Sequence, residues 1–119
     1  MTSIRLETKR IEFDGKTWEL RCNMAVLDAL EQAHDGNFTE VMSLPPIKSI
    51  PEILAAMLND YAEDQGWDVH YTPRQIARMV PFNTAKELDV VGMLFRAVIP
   101  PDASGETEAA PAGDDPGKN

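Results

Sequence analysis

The chain has 119 residues, one domain's worth, with 43% hydrophobic and 26% charged residues, an ordinary globular composition. Eleven Lys and Arg stand against twenty Asp and Glu, a net charge of −9, which excludes a broad basic surface for nucleic acid. No apolar run reaches the ~18 residues of a membrane span, MTSIRLETKR lacks a signal peptide's apolar region, and the single Cys22 excludes a disulfide framework or multi-cysteine metal site, so a reducing cytoplasm is the expected compartment.

The first predicted element is a hairpin over IEFDGKTWELR, residues 11–21. Asp14-Gly15 lies between two alternating runs, the pattern of a type I′ turn. A two-residue loop pairs Phe13 with Lys16, Ile11 with Trp18 and Lys9 with Leu20. That register puts Ile11, Phe13, Trp18 and Leu20 on one face and Arg10, Glu12, Thr17, Glu19 and Arg21 on the other. Arg10 then faces Glu19 across the strands. Ile4 and Leu6 have the opposite parity, so either a bulge lies near Thr8–Arg10 or residues 3–7 form a separate strand.

Four or five helices are expected next. Asn23 caps a helix through His34 with Gly36 as its stop, and Met24, Leu27 and Leu30 face inward, with Val26 and Ala33 as further candidates. Asn37 and Glu40 open a short helix that ends at Pro45-Pro46. Ser49-Ile50-Pro51-Glu52 reads as a capping box with proline in the first turn. The helix it opens carries Ile50, Ile53, Leu54, Met57, Leu58 and Tyr61 at helical spacing and stops at Gly66. Thr72-Pro73-Arg74-Gln75 caps a short helix to Val80, stopped by Pro81. Thr84 with Glu87 caps the last helix, whose stripe is Leu88, Val91, Leu94 or Phe95, and Val98, before Pro100-Pro101. Inside it, Gly92 either admits a neighbour's close approach or costs about 1 kcal/mol.

Residues 100–119, PPDASGETEAAPAGDDPGKN, hold no Leu, Ile, Val, Met or aromatic residue and five carboxylates against one lysine. Such a segment cannot offset its ordering entropy by burial. The expected organisation is α+β: a domain over 1–99, with two or three short strands followed by a helical bundle, and a disordered acidic tail over 100–119.

Little in the chain points to catalysis. His34 sits beside Asp35 at a helix end, and His70 has only Asp68 near it in sequence, too few ligands for a metal; both read as solvated or core side chains. Cys22 is either a thiol activated at a helix N-terminus or a small core hydrophobe. Ser3, Ser43, Ser49 and Ser104 lie in no nucleophile elbow, Ser49 being accounted for as a cap, and no glycine-rich phosphate loop exists. No enzymatic activity, cofactor or metal is expected. Two groups are candidates for partner binding. Arg74 and Arg78, four apart, either grip an acidic partner or the chain's own tail, or serve solubility and salt bridging. Tyr61, Trp67 and Tyr71, around Gly66, are either interface anchors or core anchors.

The hairpin Gly15-Lys16-Thr17-Trp18-Glu19-Leu20-Arg21, the following NMAVLDALEQAHDG (23–36), EILAAMLNDYAEDQG (52–66) and YTPRQIARMV (71–80) together resemble the tail assembly chaperones of long-tailed bacteriophages and prophages. In that family the hairpin reads GK-x-Y-x-LRF, and Trp18 stands here where Tyr or Phe is usual. The resemblance covers about residues 9–95. It implies a protein that coats the tape-measure protein, keeps it soluble and helps recruit tail-tube subunits in the host bacterial cytoplasm, and that is absent from the finished virion. It also implies, in many members, a longer product made by frameshifting, here near Gly117-Lys118. Self-association stays open. The competing reading is a structural phage protein, for tail completion or head–tail connection, or another small acidic interaction module.

Overall fold

The computed structural model of the chain describes residues 6–37 and 39–98. The expected tail over 100–119, the Gly117-Lys118 junction and residues 1–5 lie outside the described residues. The architecture is α+β, an antiparallel hairpin followed by helices.

Strands β1 (Thr8–Phe13) and β2 (Lys16–Arg21) pair in the register expected, Phe13 with Lys16, Ile11 with Trp18 and Lys9 with Leu20. Asp14 and Gly15 have φ of 51° and 77°, the two positive values that a type I′ turn needs. Trp18 and Leu20 are fully buried, Ile11 and Phe13 half-buried, and Arg10 lies opposite Glu19. The ladder runs without a bulge from Thr8, so the bulge alternative is not realised. Leu6 and Glu7 are outside the strand, and the described residues form two strands.

Helix α1 (Met24–Ala33) is capped by Asn23, whose Oδ1 accepts from the Val26 amide at 2.9 Å. Its buried residues are Val26 and Leu30, with Leu27 half-buried; Met24 is 85% exposed and Ala33 is exposed. The inward face is thus rotated from the expected Met24–Leu27 line onto Val26 and Leu30. Helix α2 (Thr39–Ser43) places Val41 in the core.

The long helix α3 (Pro46–Gln65) starts three residues before the expected capping box. Pro45 is the N-cap and its carbonyl accepts from Lys48 and Ser49 at 2.8 and 3.0 Å. Pro46 occupies the first helical position, where the N–H it lacks is not needed. Ser49 is therefore a buried residue inside the helix rather than its cap, and Pro51 is an interior proline. The apolar stripe is as read: Ile50, Ile53, Leu54, Met57 and Leu58 are buried. The helix ends at Gly66, whose N–H donates to Glu63 while that of Trp67 donates to Ala62.

Helix α4 (Pro73–Met79) has the full capping box: the Gln75 amide donates to Thr72 Oγ1 and the Thr72 amide donates to Gln75 Oε1. The expected last helix is two. Helix α5 (Phe82–Glu87) contains Thr84 rather than being capped by it, and α6 (Val90–Val98) follows a break at Asp89, φ 57°. The Leu88 and Asp89 amides close α5 on Ala85 and Lys86, and the Asp89 carbonyl opens α6 by accepting from Met93. A Cβ on Gly92 would collide with the exposed Asp89 carboxylate, which would have to shift to admit a side chain there. The inward residues of α6 are Val90, Met93 and Leu94, with Val91 and Val98 half-buried and Phe95 exposed.

Helix α3 is the hub, packed against β2 and all five other helices. Each large apolar side chain it buries contributes roughly 1.5–3 kcal/mol. Polar ties fix the hairpin on it. Asn23 Nδ2 donates to Asp60 at 2.8 Å, and Arg21 pairs with Asp60 and Asp64. Lys9 Nζ reaches the Leu88 carbonyl at 2.6 Å, joining β1 to the α5–α6 break.

Candidate functional site

The aromatic group surrounds the hairpin's buried tryptophan. Trp18 lies edge-on to Trp67, with ring centroids 5.0 Å apart, and packs against Phe13, Tyr61 and Tyr71. Its Nε1 donates to the Phe13 carbonyl at 2.7 Å. Tyr71 is 7% exposed, its backbone is bracketed by the Asn59 amide, and its hydroxyl donates to Asp14 at 2.5 Å. Burial, then Asp14, pushes that hydroxyl up to about 12. Tyr61 and Trp67 are half-buried and carry cations on their outer faces, Arg21 over Tyr61 and Lys16 over Trp67. Of the two readings of Tyr71, the structure holds the core anchor, because the turn between α3 and α4 wraps over the hairpin loop. Tyr61 and Trp67 keep only edges for a partner.

Arg74 and Arg78 are exposed on α4, and neither pairs with a described residue. Cys22 is buried, and burial raises its thiol to about 11, so it is a small hydrophobe and not a thiolate. His70 is exposed, at the rim of a mixed surface depression with Asn59 and Glu63.

His34 differs from its sequence reading. Its Nδ1 lies 3.0 Å from a Glu40 oxygen and its Nε2 lies 2.5 Å from one of Glu52, so the side chain bridges α2 and α3 from the end of α1. Only the imidazolium donates at both nitrogens. The Glu52 bond first, and Glu40 after it, raise the His34 pKa above its ordinary value. No sequence signal joins these three residues, which are 6 and 18 positions apart. Among the described residues no group of His, Cys, Asp or Glu is placed to hold a metal ion, and no helix is long and apolar enough to cross a membrane.

The surface features that stand out are two open grooves with exposed apolar side chains. One, about 770 Å³, lies between α1 and α6 and is lined by Leu6, Met24, Leu27, Met93 and Ala97, with Glu7 and Arg96 paired at its edge. The other, about 220 Å³, lies between α3, α4 and α5, and every side chain that lines it is apolar: Ile47, Ile50, Pro51, Ile76, Ala77, Val80, Phe82 and Ala85. At its mouth Ile47 is 66% and Phe82 47% exposed. Sequence reasoning missed this groove, because its residues belong to three elements and none of them breaks a helical pattern. Comparisons of the chain with protein-family models, with curated proteins and with solved structures find no match.

Proposed function

We propose that the protein is a tail assembly chaperone of the long-tailed phage kind. It holds apolar helical segments of the tape-measure protein in the host bacterial cytoplasm, keeps them soluble, and helps bring tail-tube subunits to them. The observation that carries this reading is the α3–α4–α5 groove, lined by apolar side chains, with Ile47 and Phe82 open at its mouth. Exposed large apolar side chains grouped around a groove are the usual form of a helix-binding surface. Met24 and Leu6 give the second groove the same character. The surplus of carboxylates supports it further, since mutual repulsion keeps a complex with a sticky client dispersed.

The test is co-expression with a tape-measure protein. The expected result is a soluble complex that co-elutes, and its loss when Ile47→Asp and Phe82→Asp are introduced together in a chain that keeps its circular dichroism. An insoluble client in the presence of the unaltered chain overturns the proposal. So does recovery of the protein from purified virions in fixed proportion to tail subunits, which is the result a structural tail protein gives.

A further inference from the structure

Basic residues are distributed unevenly around the α3–α4–α5 groove. The segments that build it, residues 46–51 and 72–86, contain Lys48, Arg74, Arg78 and Lys86 and no Asp or Glu. The rest of the chain has seven Lys and Arg against all twenty acids. Helical spacing sets three of the four beside the lining: Lys48 three residues before Pro51, Arg74 three before Ala77, and Lys86 four after Phe82. Arg78 extends the row one turn beyond Arg74. All four are exposed, and none forms an ion pair with a described residue. Glu52 and Glu87 bound these segments: Glu52, four residues after Lys48, is engaged by His34, and Glu87 adjoins Lys86, from which it diverges around the helix.

We propose that this groove takes an amphipathic helical segment of a partner protein whose apolar face is flanked by carboxylates. The inference rests on the reading of the protein as a binding protein and names the partner chemistry of that same groove. The apolar lining accepts one or two large side chains, and the cations on either side meet the flanking acids. A partner of that kind is disfavoured by the acidic remainder of the surface and favoured at this groove, so the charge pattern biases where and in which orientation it lands. Screening confines this effect to about 10 Å at ordinary salt, the scale of the groove itself. Two other occupants fit less well. Residues 100–119 supply carboxylates but no large apolar side chain for the lining. A second copy meeting the first through a two-fold axis would set one basic rim against the other.

The experiment uses the full chain and three fluorescent peptides of about 18 residues, long enough to form helix, that share a leucine face and differ in flanks of Glu, Gln or Lys. Fluorescence anisotropy at low salt is expected to give the Glu peptide about tenfold tighter binding than the Gln peptide, with the Lys peptide weakest. The preference should shrink at about 0.5 M salt. Lys48→Glu with Arg74→Glu and Lys86→Glu should reverse the order, and Phe82→Ser should weaken all three peptides while circular dichroism stays unchanged. Equal affinity for the three peptides overturns the charge selection and leaves the apolar-groove reading standing. No binding of any peptide overturns both. Displacement of the Glu peptide by a synthetic peptide of residues 100–119 assigns the groove to the chain's own tail, and a dimer that Phe82→Ser turns into a monomer assigns it to a second copy; either overturns the proposal.

Discussion

Trp18 carries more of this structure than any neighbour of similar size. It is fully buried, touches Phe13, Tyr61, Trp67 and Tyr71, and satisfies its one donor on the Phe13 carbonyl. Truncation would leave a cavity walled by rings that α3 and the hairpin hold apart. Trp18→Ala is therefore expected to destabilise the protein by about 3–5 kcal/mol, read as a lower midpoint in urea unfolding. An unchanged midpoint would mean that the hairpin does not depend on this packing. His34 makes a different kind of contribution. Its folded pKa is raised, first by Glu52, above the ordinary histidine value of 6.5. The stabilisation it gives is complete below that value and is lost as pH rises through the folded pKa. Urea midpoints measured from about pH 5.5 to 8.5 should fall more in the unaltered chain than in His34→Gln. Parallel pH curves would show that the bridge from α1 to α2 and α3 does not couple to folding.

At the scale of elements, most of the fold was legible because its signals are local. Asp14-Gly15 between alternating runs specifies the hairpin and its register, and Asn23 and Thr72 specify two helix starts, since each acts on atoms within three residues. Where two local signals competed, the sequence was ambiguous. Pro45-Pro46 reads as the stop of the preceding helix and Ser49-Pro51 as the start of the next, whereas Pro45 itself caps α3, its carbonyl accepting from the Lys48 and Ser49 amides. The break at Asp89 was not legible, since an aspartate carries no fixed local signal for the left-handed conformation it takes here, φ 57°. The interior proline that results has a measurable consequence. Pro51 gives the Ile47 carbonyl no partner, a loss that costs about 3 kcal/mol in a helix interior and is partly offset by a stiffer unfolded chain. Pro51→Ala is expected to raise stability by about 1–2 kcal/mol in thermal unfolding. A fall instead would assign to the pyrrolidine ring a packing role in the groove it lines.

At the scale of the whole molecule, charge is sorted by region. Residues 46–51 and 72–86 are purely basic, and residues 100–119 hold five of the twenty acids against one lysine. Composition reports only the sum, −9, which hides a cluster of cations that folding assembles from two segments more than 20 residues apart. Arg74 and Arg78 were legible as a basic pair, but the groove beside them was not, because its lining comes from three elements. The C-terminal charge should matter for solubility more than for folding. The buried core lies between Trp18 and Leu94, and residues 102–119 contribute no Leu, Ile, Val, Met or aromatic side chain that could join it. Deleting 102–119 removes a net four negative charges and is expected to move the thermal midpoint by no more than about 2 °C, with a single transition retained. A fall of about 5 °C or more would correspond to roughly 1 kcal/mol of lost contact. It would place those carboxylates against the body, where the exposed cations of α4 are the nearest electrostatic match. Repeating the melt at about 0.5 M salt separates the cases, because a charge contact weakens with screening and a melt that never depended on the segment does not change its difference.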